Sequence, residues 1–81
     1  MEADSKGNTL LHFAAKQGNV ASIKALAAPD TVNRRNADGE TPVLIAFKNE
    51  RIEAGLALIR LGANIDIKDR AGKSARDYMP D

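Results

Sequence analysis

Three glycine-centred segments recur along this chain at nearly constant spacing, and that period restricts the fold more than any other property of the sequence. Gly7-Asn8-Thr9-Leu10-Leu11 aligns with Gly39-Glu40-Thr41-Pro42-Val43 and with Gly72-Lys73-Ser74-Ala75-Arg76, the glycines lying 32 and then 33 residues apart. The match continues downstream: Ala14-Ala15 pairs with Ala46-Phe47, Ile23 to Leu26 with Gly55 to Leu58, and Val32-Asn33 with Ile65-Asp66. The shorter interval reflects one residue missing around Pro29-Asp30-Thr31, where the second unit carries Leu61-Gly62-Ala63-Asn64. A repeat of this length marks a stack of small units, none of which buries its apolar side alone.

Each unit reads as a turn, a short helix, a second short helix and a return. Thr9, Thr41 and Ser74 each precede an apolar-periodic stretch, where a hydroxyl can accept a backbone N–H. Pro42 stands at a first helical position, where its missing N–H costs nothing. The spacing predicts first helices over Leu10 to Lys16 and Pro42 to Lys48, and second helices over Val20 to Ala27 and Ile52 to Arg60. Asn19 is the expected cap of the second helix in unit one, and Gly62 stands where a left-handed C-terminal cap belongs in unit two. Helices this short do not persist alone in water, so the units must share one core.

The segment from Asp4 to Gly18, D-S-K-G-N-T-L-L-H-F-A-A-K-Q-G, closely resembles the ankyrin-repeat opening D-x-x-G-x-T-P-L-H-x-A-A-x-x-G, with Leu10 in place of proline. Asn36 to Ala46 is a second copy. Ile59 to Asp69 resembles the closing segment L-x-x-G-A-D-V-N-x-x-D, and Asp69 to Tyr78 a third opening that stops early. The resemblance covers nearly the whole chain. It implies an all-α fold, an ankyrin-repeat solenoid of helix-turn-helix units joined by β-turn or hairpin loops. The expected division is one domain, residues 1–81, with repeat 1 at 4–35, repeat 2 at 36–68 and a partial terminal repeat at 69–81.

Several positions depart from the family pattern. Leu44 replaces the helix-start histidine, Glu50 the inter-helix glycine, and Phe47 a small alanine where helices approach closely. Gly55 lies inside a helix, at about 1 kcal/mol against alanine. Ala25 and Ala27 replace leucines, each truncation removing about 1.5–3 kcal/mol of burial. These changes suit an end unit or a thin stack. Two units and part of a third fall short of the three that arrays usually need. Two expectations stay open: a piece of a longer array, or a minimal protein that dimerises or folds fully on its partner.

Bulk properties narrow the function by exclusion. Twelve basic residues against eleven acidic ones give a net charge of +1, which supplies no global attraction to nucleic acid or to an anionic membrane. Cysteine is absent from all 81 residues, so neither a disulfide framework nor a cysteine zinc site is available. No apolar run approaches the roughly 20 residues that cross a bilayer. The start Met1-Glu2-Ala3-Asp4 does not read as a secretory signal. The expected setting is cytoplasmic; the resemblance also admits a nuclear location, or host cytosol for a secreted effector.

Catalytic constellations are missing as well. For His12, the single histidine, the resemblance implies the family's helix-start histidine that steadies neighbouring turns, not a base or metal ligand. Asp38 and Glu40, the nearest pair of carboxylates in one setting, are read as solvated groups beside a turn tip. Gly72-Lys73-Ser74 has the tail of a phosphate-binding loop, but Ile67 stands where its leading glycine belongs. The serines lack a nucleophile elbow. The chain is therefore expected to be no enzyme, with no cofactor and no metal. Phe13 and Phe47 are assigned to the inter-repeat core; Tyr78 is left open between exposure and a dimer or partner contact.

In ankyrin stacks partners typically meet the turn tips and the exposed side of the first helices, which form a concave face. By alignment, unit one contributes Ser5, Lys6, Asn8, Lys16 and Gln17 to that face. Unit two contributes Arg35, Ala37, Asp38, Glu40, Lys48 and Asn49, and the third opening Lys68, Arg70, Ala71 and Lys73. Seven of these fifteen are basic and two acidic, in a nearly neutral chain. Such a strip favours an acidic protein surface; the plainer reading is a solvated polar face. No aromatic side chain interleaves the basic ones as single-stranded nucleic acid would require. The function expected is a protein-interaction module binding a protein partner through this face, with no nucleic acid and no membrane as partner. The alternative is a structural end segment of a longer array that self-associates as a homodimer through its exposed end.

Overall fold

The computed structural model describes residues 6–80, so Ser5 and the rest of the N-terminal tip positions before Lys6 lie outside the described residues. Four helices follow in order: α1 (Leu10–Gln17), α2 (Val20–Leu26), α3 (Pro42–Lys48) and α4 (Ile52–Arg60), then a single 3-10 turn at Ala75–Asp77. No strand occurs among the described residues. The architecture is the all-α repeat fold that the sequence predicts, with helix ends within one residue of expectation.

Polar caps start three of the helices. Thr9 Oγ1 accepts the His12 N–H at 3.3 Å, Asn19 Oδ1 the Ser22 N–H at 3.1 Å, and Thr41 Oγ1 the Leu44 N–H at 3.4 Å; such caps contribute about 1 kcal/mol each. Helix α4 begins at Arg51 without a side-chain cap. Arg51 instead reaches back to the first unit, its Nε donating to the Lys16 carbonyl at 3.0 Å. Between α1 and α2 the chain turns through Gly18 at φ 73°. Between α3 and α4 the same left-handed conformation falls on Glu50 at φ 62°.

Helices α1 and α3 and the 3-10 turn stack as an inner row, and α2 and α4 pack beside each other behind them. Helix α3 sits in the middle, which explains its composition: Pro42, Val43, Leu44, Ile45, Ala46 and Phe47 are all buried, as expected for a helix that is apolar on every side. Leu11, Ala15, Ile23 and Leu58 are among the residues that join it in the core. The third opening yields only one turn of helix, in which the Asp77 carboxylate accepts the Ser74 N–H at 2.7 Å and Ala75 packs into the core. Tyr78 and Met79 are half-buried, packed against that core.

The turn tips line up along one edge. The Ala37 N–H donates to the Lys6 carbonyl at 2.7 Å and the Arg70 N–H to the Asp38 carbonyl at 2.9 Å, so each tip is bonded to the next. Tips two and three have the same internal construction. Asn36 Oδ1 accepts the Asp38 and Glu40 N–H groups at 3.0 and 2.9 Å, and Asp69 Oδ1 accepts those of Ala71 and Lys73 at 2.9 Å each. At Gly39 a Cβ would lie 3.1 Å from the Arg70 backbone nitrogen, so glycine lets adjacent tips approach.

Two departures that look damaging in the sequence prove complementary. A Cβ on Gly55 would lie 2.4 Å from Cζ of Phe47. The phenyl ring thus occupies the space that a side chain at position 55 would fill. In the first unit the aligned positions are Ala15 and Ile23, both fully buried. The small and large partners have changed places between the two inner–outer helix pairs.

Candidate functional site

An open groove of about 420 Å³ runs between the tips and the inner helices. Leaving aside Ser5 and the two alanines, Ala37 and Ala71, seven of the twelve remaining face residues line it: Lys6, Asn8, Lys16, Asp38, Glu40, Lys48 and Asn49. The other five, Gln17, Arg35, Lys68, Arg70 and Lys73, are exposed but outside it. His12, Phe13, Asn36 and Ile45 also line the groove.

Phe13 is where the sequence reading needs correcting. The sequence pattern puts it in the inter-repeat core, yet it is 39% exposed and faces the groove, while Phe47 is 2% exposed in the interior. The position after the helix-start histidine points outward. Ile45, its equivalent in unit two, is only 7% exposed because α3 is flanked by α1 on one side and the 3-10 turn on the other. Apolar residues at both of these positions were the available signal.

His12 is 1% exposed and joins the first helix to the second tip. The Thr9 N–H donates to its Nδ1 at 3.0 Å. Nδ1 is therefore the acceptor, which places the ring proton on Nε2, and Nε2 donates to the Glu40 carbonyl at 2.9 Å. Both ring nitrogens are engaged, which is the turn-steadying role expected of this residue.

The charges of the face are not all available. Glu40 is half-buried, not simply solvated as expected: its carboxylate accepts from Lys48 Nζ at 2.8 Å and from Asn36 Nδ2 at 3.1 Å. Burial alone would push Glu40 up, but the hydrogen bonds from Lys48 and Asn36 outweigh it and hold the carboxyl below its ordinary range. The same bond to Glu40 holds the Lys48 ammonium above its ordinary value. Asn8 Oδ1 accepts from Asn36 Nδ2 at 2.7 Å, linking the first two tips. Arg35 is a brace: its Nε donates to the Gly39 carbonyl at 3.2 Å and its Nη2 to the Lys68 carbonyl at 3.0 Å. Lys48 and Arg35 thus stabilise the scaffold, whereas the ammonium of Lys16 stands exposed at the groove edge.

Among the described residues no group of three or more His, Asp or Glu side chains is placed to hold a metal ion, and no helix is long and apolar enough to cross a membrane.

Bonded tips with inner helices behind them match what the repeat spacing predicts, a histidine spanning two units matches what the resemblance implies, and comparison with known proteins agrees. Residues 1–69 match the family described as ankyrin repeats, in three copies. The chain belongs to the ankyrin-repeat family. It is 35% identical over 69 residues to the poly [ADP-ribose] polymerase tankyrase of Caenorhabditis elegans, covering 84% of this chain and 3% of that protein. It is 38% identical over 53 residues to mouse synphilin-1, covering 62% of this chain and 6% of synphilin-1. To rat ankyrin repeat and SOCS box protein 2 it is 32% identical over 72 residues, covering 86% of this chain and 11% of the relative. The chain therefore spans a small fraction of the length of these relatives. Ankyrin repeats generally mediate protein–protein interaction, and the repeat module is a non-catalytic fold. The polymerase activity in the first relative's name belongs to that protein, of which this chain matches 3%.

Proposed function

We propose that this ankyrin chain binds a protein partner in the groove between tips and inner helices, taking an extended acidic segment with one apolar side chain seated on Phe13 and Ile45. The observation that carries this reading is the exposure of Phe13 beside Lys16 on a groove wall. A desolvated aromatic is a typical binding anchor. Lysines around it favour acidic flanking residues and raise the association rate. Lys68, Arg70 and Lys73 extend the basic strip along the third tip and would guide approach without lining the groove. The repeat boundaries read from the sequence are part of this proposal, since they assign one groove to one junction between units.

Selection from a displayed peptide library tests it. The expected products carry Asp or Glu around one apolar residue. Titration calorimetry should show Phe13→Ala and Lys16→Glu each weakening a selected peptide by about tenfold or more, the size of one lost anchor, with helicity unchanged. Selected peptides indifferent to both substitutions would remove the groove from consideration.

A further inference from the structure

A second groove lies on the outer helices and shares no residue with the first. It measures about 580 Å³ and is lined by Val20 and Lys24 of α2 and by Glu53, Leu56, Ala57 and Arg60 of α4, with Leu61 just beyond. Leu56 is 42% exposed and Leu61 40%. The position of Leu56 aligns with Lys24 in the first unit, so a large apolar side chain stands where the same surface elsewhere in the chain carries a charge.

The arrangement along α4 is antisymmetric. Glu53, Leu56, Ala57 and Arg60 fall at i, i+3, i+4 and i+7, one face of the helix. The acidic residue is at one end of this stripe, the basic residue at the other, and the apolar pair at its midpoint. Glu53 and Arg60 are two turns apart, beyond each other's reach within one helix. Among the described residues neither makes an ion pair inside the chain, and neither does Lys24.

We propose that this face is a self-association surface, on which a second copy of the chain docks with its α4 antiparallel to the first, about a two-fold axis passing between Leu56 and Ala57. Antiparallel pairing sets Glu53 of each copy against Arg60 of the other and brings the two Leu56 side chains together. A parallel arrangement would oppose like charges at both ends, so the stripe also selects orientation. Contacts of this kind are isologous, each patch facing its own copy and closing at two. The patch is small, which places the dimer among weak, transient associations. This surface is independent of the partner groove, and either assignment stands or falls without the other.

Sedimentation velocity on the full chain across a concentration series provides the test. The expected result is reversible monomer–dimer exchange with a dissociation constant on the order of 10–500 μM. Leu56→Glu should weaken it at least tenfold. Glu53→Arg alone and Arg60→Glu alone should each weaken it, because each places like charges opposite one another. Combining them in one chain should restore association to within about threefold of the original. An equimolar mixture of the two single variants should form a heterodimer more tightly than either forms a homodimer. All of these positions are exposed, so circular dichroism should be unchanged throughout. A chain that stays monomeric to about 1 mM overturns the proposal, as it would if the groove served a helix of a different protein. Association that survives Leu56→Glu, or that the double charge exchange fails to restore, overturns it equally.

Discussion

Replacing Gly55 by alanine should destabilise this protein, although the same change in an unobstructed helix interior stabilises by about 1 kcal/mol. The new Cβ would stand 2.4, 2.5 and 2.8 Å from three carbons of the Phe47 ring, where carbon–carbon contacts settle near 3.5–4.0 Å. The ring must therefore withdraw by more than 1 Å, and at 2% exposure it has no solvent to withdraw into. Overpacking of this kind costs about 1–3 kcal/mol. Set against the propensity gain, the net loss is about 1 kcal/mol, or roughly 4–8 °C in Tm for a domain of this size. Urea unfolding followed by circular dichroism reads it directly. The decisive comparison is the exchanged pair, Phe47→Ala with Gly55→Ile, which reproduces the Ala15 and Ile23 arrangement of the first unit. Phe47→Ala alone should cost about 3–5 kcal/mol. Adding Gly55→Ile should recover about 1–3 kcal/mol of that, a coupling expected of residues in contact and absent between distant, independent ones. Gly55→Ala that stabilises the chain by about 1 kcal/mol, or additive effects in the exchanged pair, would refute the complementarity.

Two further substitutions test other links. Glu50 holds a left-handed conformation at φ 62° in the place that Gly18 occupies in the first unit, so Glu50→Gly should stabilise by about 0.5–1 kcal/mol; an unchanged or lower urea midpoint would contradict it. Glu40 titrates below its ordinary value of 4.5 in the folded chain, so its bond to Lys48 contributes stability above that pH, and the contribution disappears as pH falls through the folded value. The stability gap between the parent chain and Glu40→Gln should accordingly be present at neutral pH and close under acid; a gap that persists unchanged would show that Glu40 acts through packing alone.

The repeat and its helix ends were legible because they rest on local chemistry. Thr9, Asn19, Thr41 and Pro42 specify where helices begin through interactions within three residues, and the glycine period specifies how units stack. Longer-range relations were legible only where the family pattern names them, as with His12. Phe47 and Gly55 each violate the pattern, and scored singly each counts as a loss. Their compensation exists only once α3 and α4 are packed, and no window of sequence contains it. The candidate site divides along the same line. Alignment assigns Lys16, Asn8 and Asn49 to the tips and inner helices, and all three line the groove, because their place in the repeat is set by local sequence. It could not foresee that Arg35 braces two carbonyls or that Lys48 is held by Glu40, since both depend on which neighbour lies within hydrogen-bond reach. A count of basic residues on the face therefore overstates the charge free to meet a partner. What remains is an exposed aromatic with the exposed Lys16 near it, and that combination gives an acidic ligand both a direction of approach and an anchor.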